Sequence, residues 1–172
     1  MGKRALAMST LGKQTPRHES GLRFQRILVA VDGSEGSTRA SEVAVDLAEK
    51  YNAQLFVLNV FRGYPEYVTA FPSIPAPSGK AFEDYEAYAR KAAVEVVGRA
   101  VSIAEKKGVK AKPKTSETIG SVVQTITDYA VTEKIDLIVM GTRGMGGFKK
   151  MLLGSVSSGV VTHAHCTVLV VR

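Results

Sequence analysis

The sequence predicts an α/β protein with an open, five-stranded parallel sheet covered by helices on both faces, a Rossmann-like arrangement. Short runs of aliphatic, often β-branched residues alternate along the chain with longer stretches that have a helical apolar period. The apolar runs lack the polar alternation of half-exposed strands, which is typical of strands buried on both faces of a parallel sheet. The length of 172 residues fits one such domain plus an appendage.

The first predicted unit is a strand, a helix and a second strand. Residues 27–31 (ILVAV) form the first strand, and the turn at 32–34 (DGS) follows it. Ser34 or Ser37 can cap the next helix, since serine hydroxyls accept bonds from the first amides of a helix. The second strand covers 55–60, and the 23 residues between the two strands are enough for a helical crossover and parallel pairing.

The middle of the chain contains a proline-rich loop and a long helix. Residues 62–79 hold four prolines and several aromatics, so they form a loop that is either a lid or a packing element. A helix is predicted over about 81–107, ending at Gly108. Residues 109–113 are predicted to form a strand, and the proline in it indicates a position at the edge of the sheet.

The last part of the chain repeats the strand–helix alternation. A helix stripe spans 119–130, a buried strand 135–140, a glycine-rich basic loop 141–154, a helix 155–164 and a fifth strand 167–171. The helix stripe consists of Ile119, Val122, Val123, Ile126, Tyr129 and Ala130. The predicted strand order is 3-2-1-4-5.

The positive charge is concentrated at the start of the chain. Residues 1–26 contain six basic residues and one acidic residue, whereas residues 27–172 contain 17 basic and 15 acidic ones. We therefore expect a flexible basic arm over 1–26 and no nucleic-acid partner for the domain at 27–172. No apolar run approaches the roughly 20 residues of a membrane span, so we expect no membrane partner and a cytoplasmic location.

Ligands of open parallel sheets bind beyond the carboxyl ends of the strands, where the strand order reverses. Here that crevice lies between the first and fourth strands, beside the turn at 32–34 and the loop that begins at Gly141. Glycines and a following helix N-terminus favour an anion, so phosphate binding is the functional interpretation. The P-loop and the dinucleotide fingerprint both fail, because Gly147 and Lys149 stand where they require lysine and glycine.

The glycine spacing that does occur is Gly141, two residues, Gly144, nine residues and then Gly154-Ser155. With the opening strand and acidic turn of 27–34 and the closing segment of 163–171, it closely resembles the ATP-binding branch of the universal stress protein family. The resemblance covers about residues 26–172. It departs from the family pattern at Arg143, where histidine is frequent, and in the absence of proline before the last strand.

The resemblance implies a nucleotide site. It implies that the base lies near Ala30, Val31 and Val60, that Asp32 lies at the nucleotide, and that glycines and a hydroxyl hold ribose and phosphates. The glycines are Gly141, Gly144 and Gly154, and the hydroxyl is that of Ser155. The resemblance places Met140, Arg143 and Val156 alongside them. The implied ligand is ATP, with ADP or AMP as alternatives, and Mg²⁺ or Mn²⁺ on the phosphates.

Three functions stay open at this point. The first is a nucleotide-dependent regulatory module in a stress response, acting on a protein partner that the sequence does not identify. The others are a slow ATP-hydrolysing enzyme, and an interaction module that binds no nucleotide. The resemblance also implies a homodimer paired through the strand at 168–171, an apolar edge that would otherwise favour aggregation. His163, His165 and Cys166 are interpreted as surface or core residues rather than as metal ligands.

Overall fold

The computed structural model describes residues 24–64, 73, 78–144 and 153–172. Strands and helices alternate along this part of the chain. In chain order they are β1 (Arg26–Ala30), α1 (Glu35–Tyr51), β2 (Gln54–Arg62), α2 (Lys80–Lys106), β3 (Ala111–Thr118), α3 (Val122–Thr132), β4 (Leu137–Gly141), α4 (Ser155–His163) and β5 (Thr167–Val171).

Within the described residues, the strands form one five-stranded sheet in the order β3-β2-β1-β4-β5. All neighbouring strands pair in parallel, so their carboxyl ends lie at the same edge. The predicted fold class and strand order are confirmed.

Each face of the sheet carries its own apolar core. Ile27 and Val29 of β1 point to the core that includes residues of α1 and α2, and Leu28 points to the core that includes residues of α3 and α4. All three side chains are fully buried. This explains the unbroken aliphatic sequence of β1, because side chains alternate between two faces that are both covered.

Side-chain and backbone caps set the helix ends. Of the two serines that could cap α1, Ser34 does so: its hydroxyl accepts a hydrogen bond from the Ser37 amide at 3.1 Å. The helix ends at Asn52, whose φ of 52° is left-handed. Gly108, with φ of 70°, follows α2 where the sequence predicts its end.

Two element boundaries differ from the prediction by three residues or more. The edge strand continues to Thr118 instead of ending at Pro113, because register with β2 extends from the Leu55–Ala111 pair to the Arg62–Thr118 pair. Helix α3 does not include Ile119, which is exposed. Its cap is Ser121, whose hydroxyl accepts from the Gln124 amide at 3.2 Å.

The folded domain begins before the end of the predicted basic arm. The Phe24 ring packs edge-to-face on Tyr51, with centroids 5.5 Å apart. Arg26 opens β1 and forms a 3.0 Å ion pair with Glu133. The rest of the predicted arm, residues 1–23, lies outside the described residues, as do 65–72 and 74–77 of the predicted proline-rich loop.

Every helix in the described part of the chain is too short or too polar to span a bilayer.

Candidate functional site

A cavity of about 520 Å³ opens at the carboxyl ends of β1, β2 and β4. The first turns of α3 and α4 complete its walls. Its volume lies within the roughly 300–1,000 Å³ range of small-molecule sites. It therefore occupies the crevice that the strand order predicts, on the face of the sheet covered by α3 and α4.

The structure brings all the sequence-predicted site residues to this one cavity. Those that line it are Ala30, Val31, Asp32, Val60, Met140, Gly141, Arg143, Gly144, Gly154, Ser155 and Val156. Their role in binding a nucleotide stays a prediction, but their assembly around one space is a property of the fold.

Five further residues line the cavity but are not among the predicted site residues: Ser37, Leu58, Val122, Ile126 and Ser157. Strand alternation could have found Leu58, which lies on the same sheet face as Val60. The helical period places Val122 and Ile126 one turn apart on α3, but that stripe also fits an ordinary core face. Sequence pattern alone does not separate these two roles.

The turn after β1 holds Asp32 at the cavity through its own hydrogen bonds. One carboxylate oxygen of Asp32 accepts a hydrogen bond from the Ser34 amide at 3.0 Å. The Gly33 amide donates to the Ser37 hydroxyl at 3.2 Å, and the side-chain amide of Asn59 donates to the Val31 carbonyl at 2.7 Å. Because these bonds fix both ends of the turn, the carboxylate faces the cavity from a defined position.

Gly141 is required for packing between β4 and α1. A Cβ at this position would lie 2.8 Å from the carbonyl carbon of Gly36 and 3.1 Å from the Ser37 amide nitrogen. Both neighbours are backbone atoms, which cannot rotate away. Gly141 thus lets the end of β4 approach the start of α1.

The other two glycines of the motif have different surroundings. A Cβ at Gly144 would collide with the Asp32 carboxylate. A Cβ at Gly154 would be in near-ordinary contact, 3.4 Å from the Thr142 oxygen and 3.5 Å from the Cα atom of Arg143. Gly154 is therefore the motif glycine at which a methyl group would disturb the protein least.

The start of α4 is fixed to the end of β4. The Thr142 carbonyl accepts hydrogen bonds from the Gly154 amide at 2.7 Å and from the Ser157 hydroxyl at 2.8 Å. Gly154 is the N-cap and makes no side-chain capping bond, unlike the serine caps of α1 and α3. The first amides of α4, together with the helix dipole, therefore present partial positive charge at the cavity.

The cavity has two chemically distinct ends. Aliphatic and thioether groups line one end, and they are suited to a flat apolar or aromatic body: Ala30, Val31, Leu58, Val60, Val122, Ile126 and Met140. The other end has the glycine backbone, the start of α4, the hydroxyls of Ser155 and Ser157, and the Arg143 and Asp32 side chains. This arrangement can hold a ligand with an aromatic body and an anionic tail.

The His163, His165 and Cys166 group lies outside this cavity. The His163 ring nitrogen Nδ1 is 2.8 Å from the Gly159 carbonyl oxygen, within α4. Burial raises the pKa of the Cys166 thiol, and the charge of Asp136 adds to the effect. Across the described residues, no three His, Cys, Asp or Glu side chains converge as metal ligands would.

The fold and the cavity define a class of protein: a Rossmann-like domain with a ligand cavity at the point where the strand order reverses. A model described as the universal stress protein family matches residues 23–172. The chain belongs to this family, as the sequence resemblance predicts.

Curated relatives match along almost the whole domain. The chain is 34% identical over 149 residues to the universal stress protein YxiE of Bacillus subtilis, covering 87% of this chain and 99% of that protein. It is 36% identical over 152 residues to a universal stress protein of Thermus aquaticus, covering 87% and 99% of the two chains.

Two solved structures with the same fold are nucleotide complexes. One is a universal stress protein in complex with cAMP, with 24% identity, a TM-score of 0.60, and coverage of 88% of this chain and 98% of that chain. The other is the universal stress protein from Archaeoglobus fulgidus in complex with dAMP, with 22% identity, a TM-score of 0.62, and coverage of 88% and 100%.

Proposed function

We propose that this protein binds ATP in the cavity at the ends of β1 and β4 and acts as a nucleotide-dependent regulatory or interaction module in a stress response. The observation that carries the proposal is the pairing of an apolar cavity end with the glycine motif and the uncapped start of α4. The nucleotide complexes of the two related structures support it.

The two ends of the cavity fit the two ends of a nucleotide. The adenine would lie against the aliphatic wall, with Ala30, Val31 and Val60 around it. The phosphates would meet the first amides of α4 and the Ser155 hydroxyl, where backbone donors and the helix dipole favour negative charge. The Arg143 side chain would add charge on the same side.

The residues present also fit a divalent cation that arrives with the nucleotide. Asp32 contributes a carboxylate to the cavity lining, and Mg²⁺ is commonly bound by one or two carboxylates together with substrate phosphates. Because the described residues hold no group of three or more metal-ligating side chains, the phosphates would supply the remaining ligands.

The test is calorimetric titration of the purified chain with ATP, ADP and AMP in the presence of Mg²⁺, with the Gly154→Val variant in parallel. A valine side chain at position 154 would lie against the Arg143 backbone and the Ser157 hydroxyl, both in the cavity lining. We therefore expect ATP affinity to fall about tenfold or more, roughly 1.4 kcal/mol. Gly120→Val makes the same exchange at an exposed glycine outside the cavity and is expected to leave the affinity unchanged.

Absence of binding to all three nucleotides would overturn the proposed function. A folded Gly154→Val protein with wild-type ATP affinity would contradict the placement of the phosphates instead. Analysis of the titrated samples for ADP and AMP separates a stable complex, which the proposal expects, from an enzyme that turns ATP over.

We further propose that the protein is a homodimer paired through β5. This strand bonds only to β4, so its outer edge has no strand partner within the described residues. The sequence TVLVV gives that edge no charged side chain. An uncovered apolar edge is a template for pairing with another chain, and a second copy would cover it.

A further inference from the structure

A second cavity, of about 610 Å³, lies between α1 and α2 on the opposite face of the sheet from the first. Its floor is formed by Val31, Val96 and Ala100. Val31 is also a predicted residue of the first cavity, whereas Val96 and Ala100 are not, and the proposed function does not use this space.

The walls of this cavity combine apolar and polar side chains. Thr38 and Ser41 of α1 and Ser102 of α2 bring hydroxyl-bearing side chains to the lining. Arg99 and Lys106, both on α2, add two cationic side chains. One carboxylate, that of Glu95, also lines it. Two cations and several hydroxyls in one concave space are the groups that bind phosphate oxygens.

Several cations on or next to these two helices are already paired, although Lys50 and Lys91, like Arg99 and Lys106, form no ion pair with a described residue. Arg39 pairs with Glu35, Lys107 pairs with Asp46, and Arg90 pairs with two glutamates. Neither Arg99 nor Lys106 forms an ion pair with any described residue. They are seven residues apart, two helical turns or about 10 Å along α2, so both project toward the same groove.

The position of Arg99 is set by the turn after β1. Gly33 has φ of 89°, and a Cβ there would lie 3.2 Å from the Arg99 Nη2 atom and 3.0 Å from Val96 Cγ2. The guanidinium therefore rests against this turn at one end of the cavity. Val31 and Ser37 line both cavities, so the same short segment separates them.

We propose that the cavity between α1 and α2 is a second ligand site, which takes a small molecule carrying two or more phosphate groups. Arg99 would bind one phosphate at the end near Gly33. Lys106 would bind another toward the end of α2, and the hydroxyl of Ser102 would donate to the oxygens between them. This proposal does not depend on ATP occupying the first cavity.

The test is a titration of the ¹⁵N-labelled full chain with inorganic tripolyphosphate, followed by amide chemical shifts. We expect saturable shifts at Thr38, Arg99 and Ser102. Tripolyphosphate in the first cavity would instead shift the amide signals of Gly141, Gly154 and Val156, so binding at each cavity is measured by its own set of signals. In the Arg99→Ala/Lys106→Ala variant, affinity at the second cavity is expected to fall at least tenfold, with the first set of shifts unchanged.

The matched control is Lys91→Ala/Lys110→Ala, which removes the same charge from two exposed lysines outside the cavity. This variant should keep wild-type affinity, and so should Arg99→Lys, which retains the charge. The proposal is overturned if tripolyphosphate shifts only first-cavity amides, or if its shifts spread over the lysines of β3. An equal loss of tripolyphosphate affinity in the Lys91→Ala/Lys110→Ala control would also overturn it. Should the alanine double variant not fold, Arg99→Gln and Lys106→Gln are measured singly against the same criteria.

Discussion

The two outer strands of the sheet hold equivalent positions and have opposite surfaces. β3 and β5 each pair with a single neighbour, β2 and β4 respectively. β3 carries Lys112, Pro113 and Lys114, all exposed. β5 reads TVLVV, and its central Leu169 is 36% exposed although it is apolar.

This difference shows which edge is protected against pairing. Lysine and proline on an edge strand discourage another strand from adding to it, because the charge resists burial and proline offers no amide donor. β3 has both devices and β5 has neither. The sheet is therefore closed to further strands on the β3 side and open on the β5 side, which is the physical basis for the proposed dimer.

The largest expected effect comes from giving β5 the charge that β3 already has. Leu169→Lys would put two lysines into a two-fold interface between β5 strands, so we expect the dimer affinity to fall about 100-fold or more, roughly 3 kcal/mol. Light scattering at micromolar concentration should change from dimer mass to monomer mass.

Val131→Lys is the control for this variant. It also exchanges an exposed apolar residue for lysine, but on α3 instead of on β5. It should remain a dimer. A monomeric wild-type protein, or a Leu169→Lys protein that stays dimeric, would contradict the pairing through β5.

The converse exchange removes the protection of β3. The Lys112→Val/Pro113→Val/Lys114→Val variant would make this edge resemble β5, and we expect a new association step beyond the dimer at tens of micromolar protein. Sedimentation velocity would detect it as larger species. Lys110→Val, just before the strand, should not produce them. If the triple variant sediments like the wild type, the lysines and proline do not protect this edge.

A smaller effect is expected in thermal unfolding. If the native state is a dimer, mass action stabilises it as protein concentration rises. Between 1 and 100 μM the Tm should increase by roughly 3–5 °C, since the gain of about 1.4 kcal/mol per chain shifts Tm by about 2–4 °C for each kcal/mol at this size. Leu169→Lys should show a Tm independent of concentration, and the same slope in both proteins would argue against the β5 interface.

The contrast between edges also explains what the sequence could and could not predict. β1 and β4 are buried on both faces, so their aliphatic runs identify them as strands. The second half of β3 (KTSET) has no such signal, because an edge strand made of polar, partly exposed residues resembles a loop. Only its register with β2 reveals that it continues to Thr118.

The two cavities also differ in how far the sequence predicts them. The first lies at the ends of buried strands and beside a glycine motif with fixed spacing, so most of its lining could be predicted from the chain. The second lies between two helices, where Ser41 and Ser102 come together only through packing. These residues are far apart in the sequence and have no shared period, so no linear pattern indicates their proximity.

The smallest expected effect concerns Pro113 alone. At an edge strand the ring nitrogen can face solvent, so the missing amide donor removes no bond to β2. Pro113→Ala is therefore expected to change the free energy of unfolding by less than about 0.5 kcal/mol, with Lys112 and Lys114 still preventing association. In contrast, Val139→Pro in β4 would remove a donor from a fully buried strand and should destabilise by about 3 kcal/mol or more. Urea unfolding of both variants measures the difference, and a large loss in Pro113→Ala would mean that proline stabilises this edge directly rather than only blocking its partners.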